Sequence, residues 1–196
     1  MLNNVKLMLV VLSVTLAFVH GDMYLRLEMD SFDNPNGVGH DSKCCFSSNA
    51  SVAEKMCARK CATYFRFCLK SSPLAHECMV EFKTQIIGEN TITTDQFKLT
   101  TSTLEFPLTN DQLDASADLK RIHLSVEVLN NLDSPLGEGQ LISQWNLENI
   151  ISSSKLDSWS KFTRSNDALG QKMTFNYKIE CFNNYQGPFC QIRKWS

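Results

Sequence analysis

Eight cysteines are the most reactive side chains of this 196-residue chain: Cys44, Cys45, Cys57, Cys61, Cys68, Cys78, Cys181 and Cys190. Thiols at such density ligate metal, exchange electrons or cross-link. Structural zinc sites use C-x2-C pairs or their C-x2-C plus H-x3-H relatives, and thiol redox centres use C-x-x-C. Neither spacing occurs; Cys57 and Cys61 are C-x3-C. An even number of cysteines in an oxidising compartment implies disulfides. The N-terminus supplies that compartment. Lys6 precedes an apolar run from Leu7 to Val19, and Gly21 offers a small residue for cleavage, the layout of a secretory signal over residues 1–21. The run falls short of the roughly 18 residues that span a bilayer, and no second one follows. The expected mature chain is an extracellular, disulfide-stapled domain of about 175 residues. The adjacent Cys44 and Cys45 are expected to bond outward to different partners. Spacing alone does not choose the connectivity between Cys44 and Cys78.

The remaining polar side chains favour binding over catalysis. The sequence contains no G-x-S-x-G, H-E-x-x-H or phosphate loop. His40-Asp41-Ser42 has triad letters, but a triad is set by spatial geometry. His76 and His123 stand alone, the latter on the polar face of an expected strand, where it reads as solvated. A net charge of -2 and pI near 6.1 give no basic field for nucleic acid. Asp30, Asp33, Asn34 and Asn36 form one acidic stretch, and Asn130, Asn131 and Asp133 a second. Their oxygens suit calcium, yet Asx residues beside Gly and Pro are equally what turns require. No other cofactor is implied. Asn49-Ala-Ser51 is an N-glycosylation acceptor.

Strands must position these residues. Ile122, Leu124, Val126 and Val128 alternate with polar residues, as do Met173, Phe175, Tyr177 and Ile179, and Leu25, Leu27 and Met29. Further strand candidates are Phe65-Phe67-Leu69, Phe82 to Ile87, Phe97-Leu99 and Leu104-Phe106-Leu108, the last carrying Pro107 and so expected at an edge. Leu141 to Ile151 fits a strand or a short helix. Cys57, Cys61 and Cys68 also share one helical face, so a helix over Ala53 to Lys70 stays open. Turn signals such as Asp33-Asn34-Pro35-Asn36-Gly37 separate the runs. Short strands of this kind predict an all-β antiparallel sandwich with a disulfide-rich N-terminal part.

The run Cys61-Ala-Thr-Tyr-Phe65-Arg-Phe-Cys68-Leu-Lys70 resembles the C-x-T-x-F-[KR]-V-C-L-K signature of the N-terminal module of Notch ligands of the Delta/Serrate/Jagged type. Cys44-Cys45 is similar to the vicinal pair before it. Tyr24 to Phe32 resembles the family's opening strand, and Ile87-Gly88 its apolar-Gly step. Leu104-Glu-Phe106-Pro107-Leu108 resembles I-x-F-P-F. Leu124 to Leu129 resembles SLIIEA, and Leu141-Ile142-Ser143 with Trp159 resembles LIS…W. Cys181-Phe-Asn-Asn-Tyr185-Gln-Gly187-Pro-Phe189-Cys190 is similar to C-x3-YYG-x2-C, which opens the DSL domain, with Gln186 in place of the second Tyr.

The resemblance implies a C2-like module (MNNL) over residues 22–179 and the start of a DSL domain over 180–196. It implies a non-enzymatic role in developmental cell–cell signalling, by binding EGF repeats of Notch. Expected receptor contacts are Met79, Val80 and Phe82 on the sandwich, and Tyr185 and Phe189 in the closing loop. Core packing is the plainer role for the first three. Family members continue through the rest of DSL, EGF-like repeats and a single membrane span. The chain as given therefore reads as a fragment or as a truncated secreted form. The alternatives are a secreted C2-type module binding calcium or lipid head groups, and a soluble Notch antagonist.

Overall fold

A computed structural model describes residues 23–46, 57, 59–72, 74–100, 104–108, 122–131, 139–148, 150, 157–181, 185–186, 190 and 192–193. The expected leader and Asn49 lie outside these residues.

Two antiparallel sheets enclose the core. The first is built on β1 (Met23–Asp33), whose one edge pairs with β9 (Gln171–Cys181). The other edge pairs with β5 (Leu104–Leu108) near the strand's start and with β4 (Thr91–Thr93) near its end. Strand β8 (Ser160–Asn166) closes the far side against β9. The second sheet runs β3 (Val80–Lys83), β2 (Thr63–Lys70), β6 (His123–Asn130) and β7 (Gln140–Leu147). A short ribbon, β10 (Tyr185–Gln186) with β11 (Ile192–Arg193), follows.

The alternation read from the sequence is what faces the core. Leu25, Leu27 and Met29 of β1, Phe65, Phe67 and Leu69 of β2, Leu124, Val126 and Val128 of β6, and Met173, Phe175, Tyr177 and Ile179 of β9 are all buried in one cluster. Aromatic rings join the layers: Phe32 meets Phe65 edge-on at 5.9 Å, and Phe67 lies 6.2 Å from Phe106. Each such ring removes a large apolar area from water, which is the main drive for closing the sandwich. Pro107 sits in β5, which pairs only with β1 among the described residues, so its missing N–H faces an open edge.

Three expectations change. The stretch containing Phe97 is not a strand but the helix α1 (Thr94–Thr100). Thr93-Thr94-Asp95-Gln96 forms a capping box, in which the Gln96 side chain accepts from the Thr93 backbone N–H at 2.9 Å. One turn then drops Phe97 into the core, edge-on to Phe65 at 6.1 Å. The second change removes the helix left open up to Lys70: Thr63–Lys70 is strand β2, held between β3 and β6. Leu141 to Leu147 likewise resolves as part of strand β7. Finally, His123 is 7% exposed, not solvated. It stands opposite Lys70 of β2 in the register, and it is covered although its face is the polar one.

All eight cysteines are paired: Cys44–Cys57, Cys45–Cys61, Cys68–Cys78 and Cys181–Cys190. The adjacent Cys44 and Cys45 do bond outward to different partners.

Candidate receptor-contact surface

Strand β3 is an edge whose position is fixed from three sides. The Cys68–Cys78 disulfide closes the loop between β2 and β3 immediately before Met79. The Met79 N–H donates to the Leu69 carbonyl at 2.7 Å, and Val80 then stands opposite Leu69, with Phe82 opposite Phe67. On the outer face, Arg66 of β2 reaches Glu81 of β3 at 2.8 Å and Glu127 of β6 at 3.1 Å. Lys83 adds a contact to Glu81 at 3.1 Å. The hydrogen bond from Arg66 holds the Glu81 carboxyl below its usual range, and the same bond raises Arg66. These charges pair with one another across the sheet, so β3 offers a partner the Phe82 ring beside ion-paired Glu81 and Lys83.

Register places Val80 and Phe82 on the core side of that edge. Met79 and Val80 are partly buried against the core. Phe82 is 36% exposed, with its ring 6.5 Å from Phe67 and edge-on to Phe106 at 6.3 Å. Two further exposed apolar residues lie in the same chain segment, Leu74 in the disulfide-closed loop and Ile86 beyond β3. Sequence reasoning missed both. An isolated Leu directly after Ser71-Ser72-Pro73 was the available signal for the first.

The closing loop is joined to the sandwich. Cys190 is fully buried within the core cluster, and Tyr185 is partly buried against it. Tyr185 pairs with Arg193 across β10 and β11. Phe189 lies outside the described residues, so only Tyr185 of that expected pair has a described position. Met79, Val80 and Phe82 lie together at the β3 edge, whereas Tyr185 follows the end of β9 in the other sheet.

The Asx residues considered for calcium have other work. Asp30 and Asp33 belong to β1, not to a loop. Asp30 is the bulged residue where register shifts between Met29 and Ser31. It receives Lys161 Nζ at 3.1 Å, and its carbonyl accepts from Thr94 Oγ1 at 2.8 Å. Asn34 is fully buried and folds its amide onto the Val38 backbone, donating to its carbonyl at 3.0 Å. Asn130 is also fully buried, accepting from the Ala62 N–H at 2.7 Å and donating to the Cys45 carbonyl at 2.8 Å. Asp133 lies outside the described residues. Among the described residues, no group of three or more His, Cys, Asp and Glu side chains gathers to hold a metal ion. His40 and Asp41 are exposed in a turn where Asp41 Oδ1 accepts from the Lys43 N–H.

Residues 22–180 match the family described as the N terminus of Notch ligand C2-like domain. The chain belongs to this Notch-ligand family. Family membership makes it a receptor-binding, non-enzymatic module of a class of extracellular or membrane-anchored proteins. Among solved structures it is similar to Drosophila C2-DSL-EGF1, at 21% identity and a TM-score of 0.64, covering 86% of this chain and 71% of that one. It also resembles part of human GIVD cytosolic phospholipase A2, at 10% identity and a TM-score of 0.52, covering 84% of this chain and 18% of that one. At those identities the structural likeness speaks for the C2-like fold alone. No curated protein sequence matches the chain. No helix among the described residues is long and apolar enough to cross a membrane.

Proposed function

We propose that this Notch-ligand module is secreted through a signal peptide at residues 1–21 and binds EGF repeats of a Notch receptor. The recognition module spans 22–179, and residues 180–196 begin a DSL domain. The observation that carries this reading is the family match, which runs over nearly the whole region downstream of the leader. Phe82 is the foremost contact residue, because its exposed ring stands on a strand that a disulfide and an ion-paired arginine hold in place. Such a rigid aromatic loses little entropy on binding, which is what interface anchors require. Met79 and Val80 support Phe82 from the core side, and Tyr185 and Phe189 extend the surface on the closing loop. Asn49 carries an N-glycan.

Binding to immobilised Notch EGF-repeat ectodomain tests the proposal, with the chain itself and with a form extended through a complete DSL domain. Saturable binding by the extended form, weakened by Phe82→Ala, is the expected result. No binding by either form overturns it.

A further inference from the structure

Asn36-Gly37 is the one Asn-Gly step in the sequence, and this dipeptide carries its own chemistry. With no side chain on glycine to hinder it, the Gly37 amide nitrogen can attack Asn36 Cγ. A carbon–nitrogen bond forms, the side-chain amide leaves as ammonia, and a five-membered succinimide results. Water then opens the ring to aspartate or isoaspartate. Water enters and ammonia leaves, so no oxidant or reductant is needed.

The fold blocks each requirement of that attack. The nucleophilic nitrogen is occupied, because the Gly37 N–H donates to the Asn34 carbonyl at 2.9 Å and Gly37 is buried away from base. The electrophile is turned away, because Asn36 Nδ2 donates to the Leu169 carbonyl at 3.2 Å. Both flanking carbonyls are tied to the cysteine cluster: Cys57 N–H donates to Asn36 at 3.2 Å, and Cys45 N–H to Gly37 at 3.1 Å. Gly37 itself adopts φ 65°, and a Cβ there would come within 3.0 Å of Asn90 Nδ2. The position thus demands glycine, and glycine is what makes the step reactive.

We infer that Asn36-Gly37 is a latent deamidation site, held closed by the turn and by the Cys44–Cys57 and Cys45–Cys61 disulfides, and released when that region opens. Its rate follows the population of the opened state. The conversion is one-way. A carboxylate at position 36 has no hydrogen to give the Leu169 carbonyl, and isoaspartate also lengthens the backbone of a turn packed against Gly170. A chain that opens and converts therefore does not reclose as before. The site records how long a molecule has spent with this region open or reduced.

The test incubates the oxidised protein, and the same protein reduced in denaturant, in mildly alkaline buffer. Peptide mass mapping follows conversion at Asn36, and isoaspartyl methylation follows the isomer. The expected result is conversion on the order of tenfold or more faster in the reduced chain, with Asn36 ahead of its other asparagines. Equal rates in the two states overturn the inference, as does a reduced chain that leaves Asn36 intact. The Asn36→Asp variant reads the consequence separately. A lower denaturation midpoint than wild type supports the one-way step, and an unchanged midpoint overturns it.

Discussion

Asn130 is the residue where replacing a single side chain tests the fold most directly. Its amide sits between the two strands of chain that the Cys45–Cys61 disulfide joins, accepting from the Ala62 N–H at 2.7 Å and donating to the Cys45 carbonyl at 2.8 Å. Asn130→Ala removes both bonds, while the disulfide keeps the two abandoned backbone groups near each other, the Cys45 carbonyl buried and the Ala62 N–H half-buried. The buried Cys45 carbonyl left without a partner costs about 1–2 kcal/mol and the half-buried Ala62 N–H costs less, so the variant loses about 1–3 kcal/mol. Against a typical domain stability of about 5–15 kcal/mol this is a large fraction. Urea unfolding of the oxidised protein, with the disulfides intact in both states, measures it as a lower midpoint at unchanged slope. The Asn130→Asp variant adds a sign check. Its carboxylate still accepts from Ala62 but faces the Cys45 carbonyl, so burial raises its folded pKa above the unfolded value of about 3.9. The variant should be as weak as Asn130→Ala at neutral pH. It should regain stability relative to Asn130→Ala as pH falls through the folded pKa, when the protonated acid can donate. An Asn130→Ala variant within about 0.5 kcal/mol of wild type would refute the bridging role.

The Glu81 carboxyl is held below its usual range by Arg66, so its contribution is present at neutral pH and fades as pH falls through that lowered value. Glu81→Gln should flatten this acid limb of the stability profile by less than about 1 kcal/mol, because solvent screens the pair; an unchanged profile would dismiss the role of Arg66 at this edge. Replacing Cys68 and Cys78 together by Ser should cost about 2–3 kcal/mol through the added freedom of the unfolded loop, read by thermal unfolding. It should also weaken receptor binding by freeing β3, and full-strength binding would argue against a contact surface there. Phe82→Ala should lower receptor affinity on the order of tenfold or more while costing less stability than Phe67→Ala, whose buried ring is worth about 3–5 kcal/mol. Biosensor titration and urea unfolding of both variants separate the two effects.

The amino-acid order by itself determined the β character, because period-two alternation along β1, β6 and β9 is a local pattern that only a two-sided strand satisfies. It also determined that the cysteines pair, since spacing excluded the common metal and redox motifs. The Cys61 to Lys70 signature pointed to the family later matched over residues 22–180. Local pattern failed where a neighbour decides. Phe97 read as a strand residue because Phe97 and Leu99 stand at alternate positions; the Thr93-to-Gln96 spacing of a capping box is the sequence signal that this reading did not use. His123 read as solvated because alternation says which face a side chain takes, not whether that face is covered. Asp30, Asn34 and Asn130 read as loop residues open to calcium binding or to turn formation, because the same Asx chemistry serves bulges, turns and buried bridges. Which cysteine meets which, and which of Met79, Val80 and Phe82 keeps its surface in water, depends on contacts between residues far apart in the chain. Only the closed sandwich sets those distances.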